Sequence, residues 1–476
     1  MMASNELQRR LTLLDALMIV SGSMIGSGIF IVSADITRRV GSPFGLLAVW
    51  VVSGLMTLAG ALAYGELAAL MPEAGGQYVF LREAYGGAVA FSFGWTLLLV
   101  IQTGTIAAVA VAFARFAGVL WPLLGSQIFF GVCGMGLSGE RLGAIVVIAL
   151  LTAVNLRGLS LGALVQNLFT GAKCLSLLLI IVVGCLAAPN VAALRANFGS
   201  AVNFFGAQRI APGTIAVFGA AMVGALFSSD AWASVTFAAS EVRNPGRNLP
   251  RALAIGAGVV IALYVLTNLS YLCELPALGA YPGLPMSIAG AESDRVATAA
   301  LQMVWGHYGE VLIAILVMVS TFGCANGLIL TGARVIYAMA HDGVFASAAG
   351  TLNQAAAPAT ALVLQGTWSA LLTLSGTYTE LLDYVIFAQL LFYVLTVGAV
   401  FILRRKKPDA PRSYSAWGYP VVPVGYIVLA SALMLDLLWM RPRYSWPGLL
   451  IALSAVPVYV IVAHRNAVQR AAINDL

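Results

Sequence analysis

Apolar residues in this chain come in long continuous runs, of which Leu175–Ala188 is one, with no charged side chain inside it. A run of this kind has no wet face, so it reads as a helix buried all round, in protein or in lipid. A helix crossing a bilayer needs about 20 apolar residues, whereas a transmembrane β-strand alternates apolar with polar positions. Composition points the same way: 61% of the residues are hydrophobic and 9% charged, against roughly 45–50% apolar and about 25% charged in soluble domains. A soluble enzyme is excluded. So is a disordered or fibrous chain, because the 49 Gly and 18 Pro punctuate the runs instead of forming a repeat. A length of 476 residues then holds roughly 10 to 13 spans and no soluble domain.

Runs and breakers predict twelve helices. The first six cover Leu14–Ile36, Phe44–Leu70, Ala88–Phe116, Leu142–Leu156, Leu161–Ala187 and Gly213–Ala239. The other six cover Leu253–Cys273, Val311–Ala338, Ala359–Leu374, Leu381–Leu403, Val421–Leu438 and Trp446–Ala463. With the N-terminus inside, 15 of the 25 Lys and Arg fall on cytoplasmic segments and 8 outside, which orients both termini to the cytoplasm. The net charge of +6 therefore sets orientation rather than marking a nucleic-acid surface. Arg9 and Arg10 before an apolar stretch resemble a signal peptide, but no small-residue cleavage site follows, so the first segment is read as a retained helix. The loop from Met71 to Gly87 has aromatics at near-helical spacing and suggests an interfacial helix along the membrane. The Gly-rich loop from Ala117 to Arg141 is either re-entrant or coil.

Span one places Gly22, Gly26 and Gly28 with three serines in the middle of an apolar helix. Each Gly costs about 1 kcal/mol relative to Ala there. Unwinding at that depth is tolerated only beside a cavity or inside protein. A half-helix beginning near Ser27 would aim N–H groups at an anion, and one ending near Ser23 would offer carbonyls to a cation, which suits a zwitterion such as an α-amino acid. Close packing through the Gly22/Gly26 pair is the competing explanation. Span six carries a counterpart, Phe227-Ser-Ser-Asp-Ala-Trp232, with an ionisable residue at its midpoint. Breaks five spans apart point to an inverted-repeat transporter with its site at the midplane. Asp230 is either a functional carboxylate or the N-cap of a half-helix starting at Ala231. Lys173 is the only lysine inside a span. It either reaches the interface or acts as a fixed cation or protonation switch between span one and span eight, where Ser320, Thr321 and Asn326 offer oxygens.

These residues resemble the amino acid-polyamine-organocation superfamily, and within it the L-type amino acid transporter branch with its bacterial relatives. The pieces that carry the resemblance are Gly26-Ser-Gly-Ile-Phe30, Leu151-Thr-Ala-Val-Asn155, Val165-Gln-Asn-Leu-Phe-Thr-Gly-Ala-Lys173 and Glu241-Val-Arg-Asn-Pro-Gly-Arg-Asn-Leu-Pro250. The resemblance implies an all-α polytopic membrane protein of 12 transmembrane helices, a LeuT-like 5+5 inverted repeat with helices 1 and 6 broken and two peripheral helices added. The layout would be a cytoplasmic tail (1–13), a first repeat (14–187), an extracellular loop (188–212), a second repeat (213–403), a basic cytoplasmic loop (404–420), helices 11 and 12 (421–463) and a cytoplasmic tail (464–476). It also implies sodium-independent transport of L-amino acids, usually by exchange, across the bacterial inner membrane.

Residue by residue, the match puts the substrate carboxylate on the N–H groups of Gly26, Ser27 and Gly28 and the amine on the carbonyls of Met24 and Phe227. Ser23, Ile25, Ser228, Asp230 and Gln389 complete the expected substrate site, and Phe227 stands at the external gate. Lys173, tied to span eight through Ser320, would replace a sodium ion. Where many members have glycine at the span-six break, this chain has Ser228-Ser-Asp-Ala231, which leaves room for small neutral or cationic substrates. If Lys173 titrates near neutral pH, the protein becomes a proton-coupled symporter instead of an exchanger. Cys133 occupies the loop in which animal members bond a glycoprotein, but no heavy subunit is expected.

Other signals are discounted. Gly158-Leu-Ser-Leu-Gly162 matches a nucleophile elbow without the strand that motif requires. The Asn268-Leu-Ser270 sequon lies in a span, and His307, His341 and His464 have no ligand spacing, so neither a metal site nor a cofactor is inferred. Five cysteines without CxxC spacing suggest no disulfide framework. Glu66 and Glu241 read as solvated interface charges, with pairing to arginines as an inner gate the alternative.

Overall fold

A computed structural model describes residues 7–125, 127–132, 135–206, 214–279, 284–374, 378–440 and 442–474. Cys133, Gly213 and the extreme tails lie outside the described residues. Among those described, 10 helices are long and apolar enough to cross a membrane. The predicted spans six and nine appear as the shorter apolar helices Ile215–Ser228 and Ala359–Leu372. The protein is thus a predominantly helical, polytopic bundle. Its innermost helices are Gly87–Leu120 and Leu13–Ile31, whose apolar windows are 83% and 78% buried, whereas Val421–Trp439 and Ser445–Arg465 reach only 28% and 17% and sit at the periphery.

Helix ends follow local chemistry. Thr12 and Asp15 form a capping box that starts span one at Leu13. Ser42 caps Pro43–Leu70 by accepting from Gly45 N, with Pro43 at the first turn, where a missing N–H does no harm. Span seven begins at Pro245 for the same reason, well before the expected Leu253, and runs to Glu274.

Several loops differ from expectation. Part of the Gly-rich loop after span three is not coil: Ile128–Val132 pairs antiparallel with Met135–Ser138, the one two-stranded sheet among the described residues. The helix expected to lie along the membrane forms at Gln77–Tyr85, but Gln77, Tyr78, Val79, Phe80, Leu81 and Ala84 are buried against protein. Gln77 Nε2 donates to Thr396 in span ten, which holds this helix inside the bundle.

Glu66 and Glu241 are not solvated. Glu241 is 1% exposed and pairs with Arg334 at 2.6 Å, and Glu66, 2% exposed, pairs with Arg404 at 2.6 Å and Arg412 at 3.3 Å. Both pairs lie at the end of the bundle expected to face the cytoplasm. There the chain also adds a backbone clasp, with Leu11 N donating to Glu241 O and Arg243 N to Leu11 O. Arg82 to Asp342 (2.8 Å) and Lys407 to Glu83 (2.8 Å) extend the network toward its rim. The Lys407 ammonium beside Glu83 holds that carboxyl below its ordinary value of 4.5. A depressed carboxyl contributes stability above its unfolded pKa and loses it as pH falls through the folded one. Glu83→Gln is therefore expected to flatten the fall in thermal midpoint between about pH 5 and about pH 3. An identical fall in wild type and variant would remove this pair from the account.

Candidate functional site

Span one stops at Met24 and restarts at Gly28, one residue beyond the positions expected from sequence. Ile25 adopts an extended conformation between the halves. The unwound turn leaves carbonyls without helical partners, and four side chains supply donors. Lys173 Nζ donates to Gly22 O at 2.6 Å, Ile25 O at 2.8 Å and Ser320 O at 3.0 Å. Ser320 Oγ donates to Gly26 O at 2.9 Å, and its contact with Ile25 O is 3.2 Å. Cys324 Sγ donates to Ser23 O at 3.0 Å. Tyr264 Oη lies 3.0 Å from both Met24 O and Ser228 O. Lys173 is fully buried, so it does not reach the interface.

The glycines of span one have distinct roles. A Cβ on Gly22 would fall on Thr170 Oγ1 and Gln166 Nε2 of span five, so close packing accounts for that position. At Gly26 the same addition meets Cys324 Sγ at 3.4 Å, an ordinary contact, so packing alone does not demand glycine there. On Gly28 it would fall on Ser228 Oγ and reach Ser228 Cα at 3.1 Å. The two breaks therefore touch at backbone level.

Span six runs Thr214–Ser228 and resumes at Ser234–Phe237. Ala231 stands in the left-handed region (φ 67°), which costs an L-residue about 1–2 kcal/mol and explains why glycine suits this break. Asp230 does not cap the second half-helix, which starts after Ala233 without a side-chain cap. Its Oδ1 accepts from Tyr393 Oη of span ten at 2.6 Å.

Three narrow cavities, each about the size of a water molecule, share Asp230 as a wall residue. One gathers Ser23, Met24, Gly26, Ser27, Gly28, Phe227, Ser228 and Asp230, with Cys324 and Thr105 opposite. Gln389 stands apart from it and lines the other two with Tyr393. Ile25, Lys173 and Ser320 are absent from all three walls; Lys173 and Ser320 hold the break through the Ile25 carbonyl. Ser23 Oγ and Gln389 Oε1 are buried without a hydrogen-bond partner, an arrangement that calls for a polar ligand or water. The Met24 carbonyl accepts from Tyr264 and the Phe227 carbonyl from Asp230 N.

Tyr264, Cys324 and Tyr393 escaped the sequence reading because a single Tyr or Cys in an apolar run carries no positional signal. The motif residues Asn155, Gln166 and Thr170 fare differently. Asn326 Nδ2 donates to Gln166 Oε1 at 3.0 Å and its Oδ1 accepts from Asn155, while Thr170 Oγ1 donates to Met18 O at 3.1 Å. They join spans four, five and eight to span one.

A helical bundle enclosing polar cavities between two interrupted spans has the build of a membrane transporter. The chain belongs to the amino acid permease family, whose model matches residues 11–462. It is 30% identical to the large neutral amino acids transporter small subunit 2 of Mus musculus, over 96% of this chain and 81% of that one. It is 28% identical to the b(0,+)-type amino acid transporter 1 of Rattus norvegicus, over 97% and 89%. With the serine/threonine exchanger SteT of Bacillus subtilis it shares 31% identity over 97% of this chain and 99% of the other. The protein is accordingly a multi-pass amino acid transporter of this family and not an enzyme.

Tyr264→Phe keeps the ring against Trp50 and deprives two buried carbonyls of their shared donor. A loss of about 1–3 kcal/mol in thermal unfolding in detergent is expected, and an unchanged midpoint would show that the carbonyls are satisfied otherwise. Ala231→Gly releases the left-handed strain and is expected to raise stability by about 1 kcal/mol. A lowered midpoint would mean that the methyl group packs productively.

Proposed function

We propose that the protein is a sodium-independent secondary transporter that exchanges neutral L-amino acids by alternating access. The reading rests on one observation above others: the two breaks meet at Gly28 and Ser228 around a cavity bordered by backbone groups and by the unpartnered Ser23 Oγ. The substrate carboxylate is assigned to the N–H groups of Gly26, Ser27 and Gly28, where a restarting helix presents its positive end. The amine is assigned to the carbonyls of Met24 and Phe227, and Phe227 closes the outer side. Lys173 and Ser320 hold the break in place of an ion, which makes sodium dispensable. The name of the Bacillus subtilis relative, an exchanger, supports exchange.

The proposed frame is twelve spans in a five-plus-five inverted repeat, 14–187 and 213–403, with helices 11 and 12 peripheral. It sits in the cytoplasmic membrane with both termini inside and works without a heavy subunit. A second reading, a proton-coupled symporter open to cationic amino acids, is favoured by Asp230, which borders all three cavities and is paired with a phenol.

Uptake of labelled alanine, serine, leucine and arginine into proteoliposomes separates the two. Uptake that requires internal amino acid and ignores an imposed pH gradient is expected. Uptake into empty vesicles driven by inward protons would replace exchange by symport, and loss of that pH dependence in Lys173→Ala would place the proton there.

A further inference from the structure

At the outer ends of spans five and seven, away from the cavities, three reactive side chains meet. Span five ends in a π-helical turn, Val183–Ala187, in which Ala188 N reaches back to Val183 O. The widened turn packs on the last turn of span seven and places Cys185 beside Cys273. Both are free thiols, Cys185 half-buried and Cys273 buried. Glu274, next in sequence, is 1% exposed, and neither of its carboxylate oxygens has a hydrogen-bond partner. It packs so closely on Gly184 that a Cβ there would fall on Glu274 Oε1 and Ser270 Oγ. A buried carboxylate without a partner calls for an explanation, and transport as described above uses neither it nor the two thiols.

We propose that Cys185 and Cys273 form an oxidisable dithiol, served by Glu274, that fastens span five to span seven and stops transport when it closes. Cys185, the more accessible thiol, loses its proton to Glu274 and attacks an external disulfide, expelling one of its sulfurs as a thiolate, which takes that proton back from Glu274. Cys273 then attacks the mixed disulfide, and the second external sulfur leaves as a thiol with the proton from Cys273. Two electrons pass from the protein sulfurs to the external disulfide, which is reduced to two thiols. π-helical turns are frequent at functional positions, and this one supplies the register that the reaction needs. The tie matters because span one lies between these helices, its break held by Lys173 of span five on one side and Tyr264 of span seven on the other. Fixing the outer ends of the two holders fixes the distance across which span one can move. The transport half of the proposal rests on the alternating-access reading; the chemistry does not.

The test treats the full chain in proteoliposomes with 4,4′-dithiodipyridine and maps peptides without reduction. A Cys185–Cys273 linked peptide is expected in wild type and not in Cys185→Ser or Cys273→Ser, and Glu274→Gln is expected to slow its formation about a hundredfold. Uptake should fall about tenfold on linkage, return with dithiothreitol, and stay unchanged by the oxidant in both serine variants. A pyridyl adduct that stays on Cys185 without closing, or a closed bond with uptake unaltered, would overturn the proposal. Absence of uptake before oxidation would count instead against the transport reading, since the peptide map reports the bond regardless of substrate.

Discussion

The unwound turn of span one is the constraint on which the rest of the structure is arranged. A helix interrupted inside a bilayer frees carbonyls that have no water to turn to, each costing several kcal/mol if left bare. Five consecutive carbonyls, from Gly22 to Gly26, find donors here, and every donor comes from another span: Lys173 from five, Tyr264 from seven, Ser320 and Cys324 from eight. The break is therefore a junction. Spans five, seven and eight are positioned by what span one lacks, and Gly22 lets span five approach closely enough for Lys173 to reach.

Two buried ionisable groups stand near this junction and are satisfied in opposite ways. Lys173 faces the protein side, and each of its three protons meets a carbonyl, so its donors are saturated. Asp230 faces the cavities, with donors from the Tyr393 phenol and the Ala231 backbone. A carboxylate accepts about four hydrogen bonds, so Asp230 keeps capacity where a ligand would arrive. The ammonium is spent on architecture, and the carboxylate borders the space in which binding is proposed.

Much of this was legible in the sequence, and the limits follow from what kind of signal each feature emits. Apolar runs marked the spans because bilayer thickness dictates their length, and the glycine and serine cluster located the first break to within a residue. Lys173 stood out because a lysine in an apolar run is costly wherever it sits. Tyr264 and Tyr393 emit no such signal, since tyrosine is equally at home at a membrane interface or in a core. Glu66 and Glu241 were misjudged for a related reason: at a helix end a glutamate looks solvated unless its partner is known, and Arg404 and Arg334 lie far off in sequence. The strand at Ile128–Val132 was hidden by glycines that fit coil and strand alike.

The two ends of the bundle are closed by different means, and this bears on how such a molecule could open. At the end expected to face the cytoplasm, the buried carboxylates of Glu241 and Glu66 hold three ion pairs, with Arg334, Arg404 and Arg412. Breaking a buried pair by removing one partner costs about 3–5 kcal/mol because the other charge is stranded. Separation in a moving protein is different, since water enters as the partners part and solvates both. The opposite end is held by Arg38, which pairs with Asp294 at 2.8 Å and donates to Ala289 O at 3.0 Å, with both charged side chains more than 40% exposed. Exposed pairs contribute about 0–1 kcal/mol. The charges that hold this end are therefore weak, whereas those at the other end are buried, and separating them requires water to reach Glu241 and Glu66.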